Sequence, residues 1–203
     1  MYKIHVIGDS YSQRFEGDVF INHFLQGATA YNLINNNSST QSKKKLFNII
    51  FNLNKNDNIM LCFGEIDIKS HIFKHLSEYK DLNDAIEKCV NNYTQCIEEI
   101  LYLGYKNLIV FGVVPTTPKW EANNHTIFGT EEERNKATEY FNVLLEQFCK
   151  KNNIKFVSIF YYLINEGYKS IAKSYQEDMV HIKPDIQTNL FNIEYQGKYN
   201  DRF

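Results

Sequence analysis

The sequence predicts an α/β fold, a parallel sheet with helices on both faces. Short continuous apolar runs of strand length alternate with amphipathic helical stretches, and capping or stopping residues punctuate the joins. Runs rich in Ile, Val, Leu and Phe, without strict polar alternation, suit strands buried on both faces.

The elements follow in chain order. Tyr2–Ile7 is the first apolar run. A second strand near Ile21–Leu25 is weaker. Lys44 to Leu53 carries a helical pattern, and Lys43-Lys44-Lys45 at its start reads as a solvated helix end. Asn58–Phe63 is the next strand. Leu82, Ile86, Cys89, Tyr93, Ile97 and Ile100 recur at three- and four-residue steps, so Asp81 to Leu103 is a long amphipathic helix stopped by Gly104. Asn107–Val113 is a strand. Thr130 followed by Glu131, Glu132 and Glu133 opens a helix through Ala137, Phe141, Leu144, Leu145 and Phe148. Ile154–Ile159 is the last strand. No linker, repeat or low-complexity segment divides the chain, so residues 1–203 are expected to form one domain.

Composition narrows the function classes. The chain is 43% hydrophobic and 23% charged with a formal net charge of -2, which favours neither a nucleic-acid backbone nor an anionic membrane as partner. No signal peptide is visible, and no apolar run approaches the roughly 18 residues of a membrane span. The four cysteines lack C-x-x-C spacing and read as buried thiols, which leads to an expectation of a cytoplasmic protein. Oligomeric state is not legible.

In parallel sheets of this kind, sites lie beyond the carboxyl ends of the strands. Ser10, in Gly8-Asp9-Ser10, occupies such a position directly after the first strand. There it is either a turn or capping serine or an exposed nucleophile beside backbone N–H groups able to hold an oxyanion. Near the other end of the chain stands Asp178-Met179-Val180-His181. That spacing lets the carboxylate accept from imidazole Nδ1–H and leaves Nε2 to take a serine proton. Together Ser10, His181 and Asp178 supply the groups that activate a hydroxyl nucleophile.

With these blocks the chain resembles the SGNH hydrolase, or GDSL-type esterase, superfamily along nearly its whole length. The resemblance implies a flavodoxin-like three-layer α/β/α sandwich on a parallel five-stranded sheet. It implies Ser10 as nucleophile, His181 as base, Asp178 as its orienter, and the N–H groups of Ser10 and Gly27 as oxyanion donors. The third block departs from the family's G-x-N-D: Gly64-Glu65-Ile66-Asp67 places Ile66, which cannot donate, at the Asn position. Another donor such as Lys69 or His71 replaces it, or the enzyme is slow or unusual in substrate, or the site is degenerate. A subset with G-D-S-x-S, Gly-x-Thr-Ala-Tyr-like and F-G-E-I-D-x-R-x-H-like segments is closer. Its counterparts here are Gly8–Ser12, Gly27–Tyr31 and Phe63–His71, with Lys69 at the Arg position. That resemblance implies an association with surface polysaccharide or glycan assembly.

Glu65, Asp67, Lys69 and His71 alternate after a buried strand. Extended, they would face one polar pocket; wound up, they would form a salt-bridged helix start. Their spacing matches no strong metal signature, and no metal or cofactor is expected. The loop from Pro115 to about Phe128 carries Trp120, either as a substrate wall suited to a sugar ring or as a packing residue. No nucleophile elbow, phosphate loop or dinucleotide fingerprint occurs.

The sequence therefore points to a serine ester hydrolase that removes O-acyl groups, chiefly O-acetyl, from a carbohydrate or other small-molecule ester through an acyl-enzyme. An O-acyltransferase using the same residues and a glycan-binding protein on a decayed scaffold remain open.

Overall fold

The computed structural model describes residues 3–116, 128–170, 175, 177 and 181–200. Five strands form one wholly parallel sheet in the order β2-β1-β3-β4-β5. They are β1 (Ile4–Gly8), β2 (Phe20–Phe24), β3 (Asn58–Cys62), β4 (Leu108–Phe111) and β5 (Lys155–Val157). All five lie within or beside the predicted runs. The doubtful second strand exists, and its polar interruptions reflect its place at the sheet edge, where Ile21, Asn22 and Phe24 are exposed.

Alternate strand residues feed two cores. Ile7, Ile59, Leu61, Leu108, Val110 and Phe156 face one of them. That side is covered by α1 (Ser42–Phe51), α3 (Leu82–Tyr102) and α4 (Glu131–Lys151). Ile4, Val6, Met60, Cys62, Ile109, Phe111 and Val157 face the other, under α5 (Pro184–Tyr199) and the short 3-10 helix Ser10–Arg14. This is the three-layer α/β/α arrangement.

Local signals behave as read. The side chain of Asp81 caps α3 by accepting from Asp84 N–H at 2.9 Å. Thr130 and Glu133 form a reciprocal capping box at the start of α4. The pattern reading assigned no element to α5, and the reason is physical. Its inward stripe is Gln187, Phe191 and Tyr195 with Thr188, so half of the buried face is polar. Hydrophobic periodicity cannot see such a helix.

The strand order reverses between β1 and β3, which places the switch-point crevice beyond the carboxyl ends of these two strands. β1 and β3 approach very closely there. A Cβ on Gly8 would sit 2.0 Å from the carbonyl oxygen of Cys62. Glycine is required if β1 is to end flush against β3 and deliver the next residues, Asp9 and Ser10, into the crevice.

Of the two conformations open to Glu65–His71, extended or wound up, the structure has the second. Gly64 takes φ 119°, a left-handed conformation with Val113 and Phe141 packed against its open side. This turns the chain off the sheet immediately after Phe63. The following residues wind into a π-helical turn, Asp67–His71, continued by α2 (Ile72–Lys74). The salt-bridged helix start is the conformation found.

Candidate active site

Asp9 sets the geometry of the turn that carries Ser10. Its side chain accepts from Tyr11 N–H at 3.0 Å and caps the 3-10 helix Ser10–Arg14. Its own N–H donates to Cys62 carbonyl at 3.1 Å. Ser12 Oγ donates to the Asp9 carbonyl at 2.7 Å. Ser10 is thereby lifted off the end of β1 with its side chain partly exposed.

The other end of the chain returns to this turn. Arg14 pairs with Glu177, and Glu177 N–H donates to the carbonyl of His181 at 2.9 Å. Thr188 Oγ1 accepts from Glu16 N–H at 2.9 Å, and Gln187 Nε2 donates to the Tyr11 carbonyl at 3.1 Å. These contacts dock the start of α5 against Ser10–Arg14. His181 Nε2 then lies 2.9 Å from Ser10 Oγ, across 171 residues of sequence. That is hydrogen-bond distance for proton transfer from hydroxyl to imidazole.

Gly27 lies in the turn after β2, the strand paired with β1. Leu25 N–H donates to the Gly8 carbonyl at 2.7 Å, which ties this turn to the end of β1. Asp178 and Trp120, both singled out in the sequence, lie outside the described residues.

The residues of the third block divide. Glu65 and Lys69 are 5% and 7% exposed and pair at 2.7 Å. Glu65 Oε1 accepts from Val114 N–H at 2.9 Å. Burial raises the Glu65 carboxyl above its ordinary range, while the Lys69 ammonium and the Val114 N–H pull it back. Lys69 Nζ donates to the hydroxyl of Tyr11 at 2.9 Å. Asp67 turns into the fold. Its carboxylate accepts from Ala30 N–H at 2.7 Å and Tyr31 N–H at 3.1 Å, with Cys89 Sγ at 3.3 Å. It is wholly buried, which raises its pKa, and the two backbone N–H bonds oppose that rise. His71 packs between Tyr31 and His75, with ring centroids 4.9 and 4.8 Å away. Burial lowers its pKa, and Asp67 acts against this. Ile66 is partly exposed at the head of the π-helical turn.

Among the described residues no group of three His, Cys, Asp or Glu side chains is arranged to hold a metal ion. The four cysteines are buried and free. Burial pushes the Cys96 and Cys149 thiols up to about 12, and those of Cys62 and Cys89 well above their ordinary value. None is a thiolate nucleophile.

The sequence reading missed Tyr11. Its ring is 1% exposed and sits 5.2 Å from the His181 imidazole, tilted by 48°. The available signal was its place inside the Gly8–Ser12 block, directly after Ser10.

A five-stranded parallel sheet with a serine turn after β1 and a histidine returning from the chain's other end defines the GDSL-type serine hydrolases. The chain matches the GDSL-like Lipase/Acylhydrolase family over residues 4–193 and belongs to it. It is a serine esterase by class. Solved structures share the fold. A GDSL-like lipase from Bacteroides thetaiotaomicron matches with TM-score 0.64 at 16% identity, over 93% of this chain and 84% of that one. A member of the lipolytic G-D-S-L family from Veillonella parvula matches with TM-score 0.63 at 14% identity, over 100% of both chains. A catalytic mutant of an acetylxylan esterase from Geobacillus stearothermophilus matches with TM-score 0.61 at 14% identity, over 95% of this chain and 93% of that one. No curated protein sequence matches. Among the described residues no helix is long and apolar enough to cross a membrane.

Proposed function

We propose that the protein removes O-acyl groups, chiefly O-acetyl, from a carbohydrate, with Ser10 as nucleophile, His181 as base and Asp178 as the carboxylate that orients it. The observation that carries this reading is the 2.9 Å contact between Ser10 Oγ and His181 Nε2. The likeness to an acetylxylan esterase fold lends support to the acyl group and the substrate class.

In the proposed cycle His181 Nε2 takes the Ser10 proton as Oγ attacks the acyl carbonyl. The N–H groups of Ser10 and Gly27 hold the developing oxyanion. His181 then protonates the departing sugar hydroxyl. Water, deprotonated by the same imidazole, attacks the acyl-enzyme and releases the acid. Every step uses groups of the chain and water.

The test is fluorophosphonate labelling combined with acetate release from acetylated xylo-oligosaccharides. Ser10 is expected to label, and Ser10→Ala and His181→Ala to abolish both labelling and release. Turnover that survives in both variants sinks the mechanism. Labelling without acetate release from any acetylated glycan removes the carbohydrate assignment and leaves the esterase.

A further inference from the structure

The buried ion pair Glu65–Lys69 requires an explanation. Such pairs lose hydration that their attraction barely repays, and apolar residues of similar size often serve stability as well. This pair is connected to the catalytic turn. Lys69 Nζ sits 2.7 Å from Glu65 Oε2 and donates to Tyr11 OH at 2.9 Å, and lies 4.6 Å from the centre of the Tyr11 ring. Glu65 is itself held by Val114 N–H from the segment after β4. The Tyr11 carbonyl is held from α5 by Gln187. The ring so fixed is the one that packs against His181.

We propose that Glu65, Lys69 and Tyr11 form a buried positioning relay that holds the His181 imidazole against Ser10. This inference rests on the serine-esterase reading above. Glu65 anchors the ammonium, the ammonium fixes the tyrosine hydroxyl, and the fixed ring backs the imidazole. The relay joins the ends of β3 and β4 to the turn after β1 and to the returning C-terminal segment. None of its three members has to touch substrate. A displacement of about 1 Å in a reacting pair can cost on the order of a hundredfold in rate, so a relay of this kind affects the chemical step more than binding.

The experiment uses the full chain with two variants, Tyr11→Phe, which keeps the ring, and the double Glu65→Gln/Lys69→Met, which leaves neither charge unpaired. The second-order rate of fluorophosphonate labelling at Ser10, and kcat and KM on p-nitrophenyl acetate, are measured well below the unfolding midpoint of each protein. Both variants are expected to lose about tenfold or more in labelling rate and kcat, with KM within about twofold of the parent. Parental labelling and kcat in a folded variant overturn the relay. So does a rise in KM with labelling unchanged, which would make these residues part of substrate binding. Should the double variant fail to fold, Tyr11→Phe decides alone. A parent protein that does not label at Ser10 overturns the esterase reading itself, whereas a labelled parent with unaffected variants overturns only the relay.

Discussion

The carboxylate of Asp67 reaches across 37 residues to accept from Ala30 N–H at 2.7 Å. Its second oxygen accepts from Tyr31 N–H at 3.1 Å. One side chain on the turn after β3 thereby caps the 3-10 helix Ala30–Ile34 that follows the Gly27 turn. Asp67 holds the segment after the Gly27 turn in place from behind.

Asp67→Ala should therefore destabilise the protein strongly. It leaves two backbone donors and a thiol without their acceptor in a site closed to water. The expected loss is about 3 kcal/mol, from hydrogen bonds to a charged group and orphaned donors. Urea unfolding at neutral pH measures it, and a loss below about 1 kcal/mol would mean that the 3-10 helix finds other partners.

Asp9 predicts a pH dependence of stability. Burial, reinforced by Glu65, raises its carboxyl well above the ordinary range, and among the described residues its Oδ2 has no hydrogen-bond partner. A carboxyl raised on folding favours the native state fully below its unfolded pKa, and that contribution is lost as pH rises through the folded value. Asp9→Asn cannot ionise. Its stability relative to the parent should improve as pH rises above the ordinary carboxylate range, as read by denaturant midpoints at pH 5 and pH 8. A constant difference between the two proteins would show that the Asp9 carboxyl is already ionised in the folded protein at pH 5.

Ile66 tests the substituted block. Its side chain is partly exposed, so Asn should be accommodated with a stability change within about 0.5 kcal/mol. Lys69 and His71, the replacements considered from sequence, both have other contacts: Lys69 with Glu65 and Tyr11, and His71 in tilted ring contacts with Tyr31 and His75. Ile66→Asn should raise kcat on a small acetyl ester by roughly tenfold, part of the 10²–10³ that one oxyanion donor contributes in other enzymes. An unchanged kcat would indicate that the oxyanion is already fully held by backbone N–H groups.

Much of the fold was legible because strand and helix leave periodic apolar signals. β1, β3, β4 and β5 are continuous apolar runs, α3 starts at the predicted boundary, Asp81, and α4 begins at the predicted cap, Thr130. β2 was faint because an edge strand has less to bury. α5 was invisible because Gln187 and Thr188 in its inward face make polar contacts to Tyr11 and Glu16. No periodicity rule recognises a polar side chain whose partner lies at the other end of the chain.

The sequence by itself determined the parallel α/β class and the residue types at the site, since local patterning and the Gly8–Ser10 and Asp178–His181 blocks are written in consecutive residues. Tertiary structure alone decided which groups meet. It brought His181 to 2.9 Å from Ser10, turned Asp67 inward to Ala30 and Tyr31, and joined Lys69 to Tyr11. The physical reason differs between the two. Long-range contacts of α5 with Ser10–Arg14 bring His181 to Ser10, whereas the left-handed turn at Gly64 replaces an alternating strand, in which Glu65, Asp67, Lys69 and His71 would share a face, with a helical turn that pairs Glu65 with Lys69 and sends Asp67 inward.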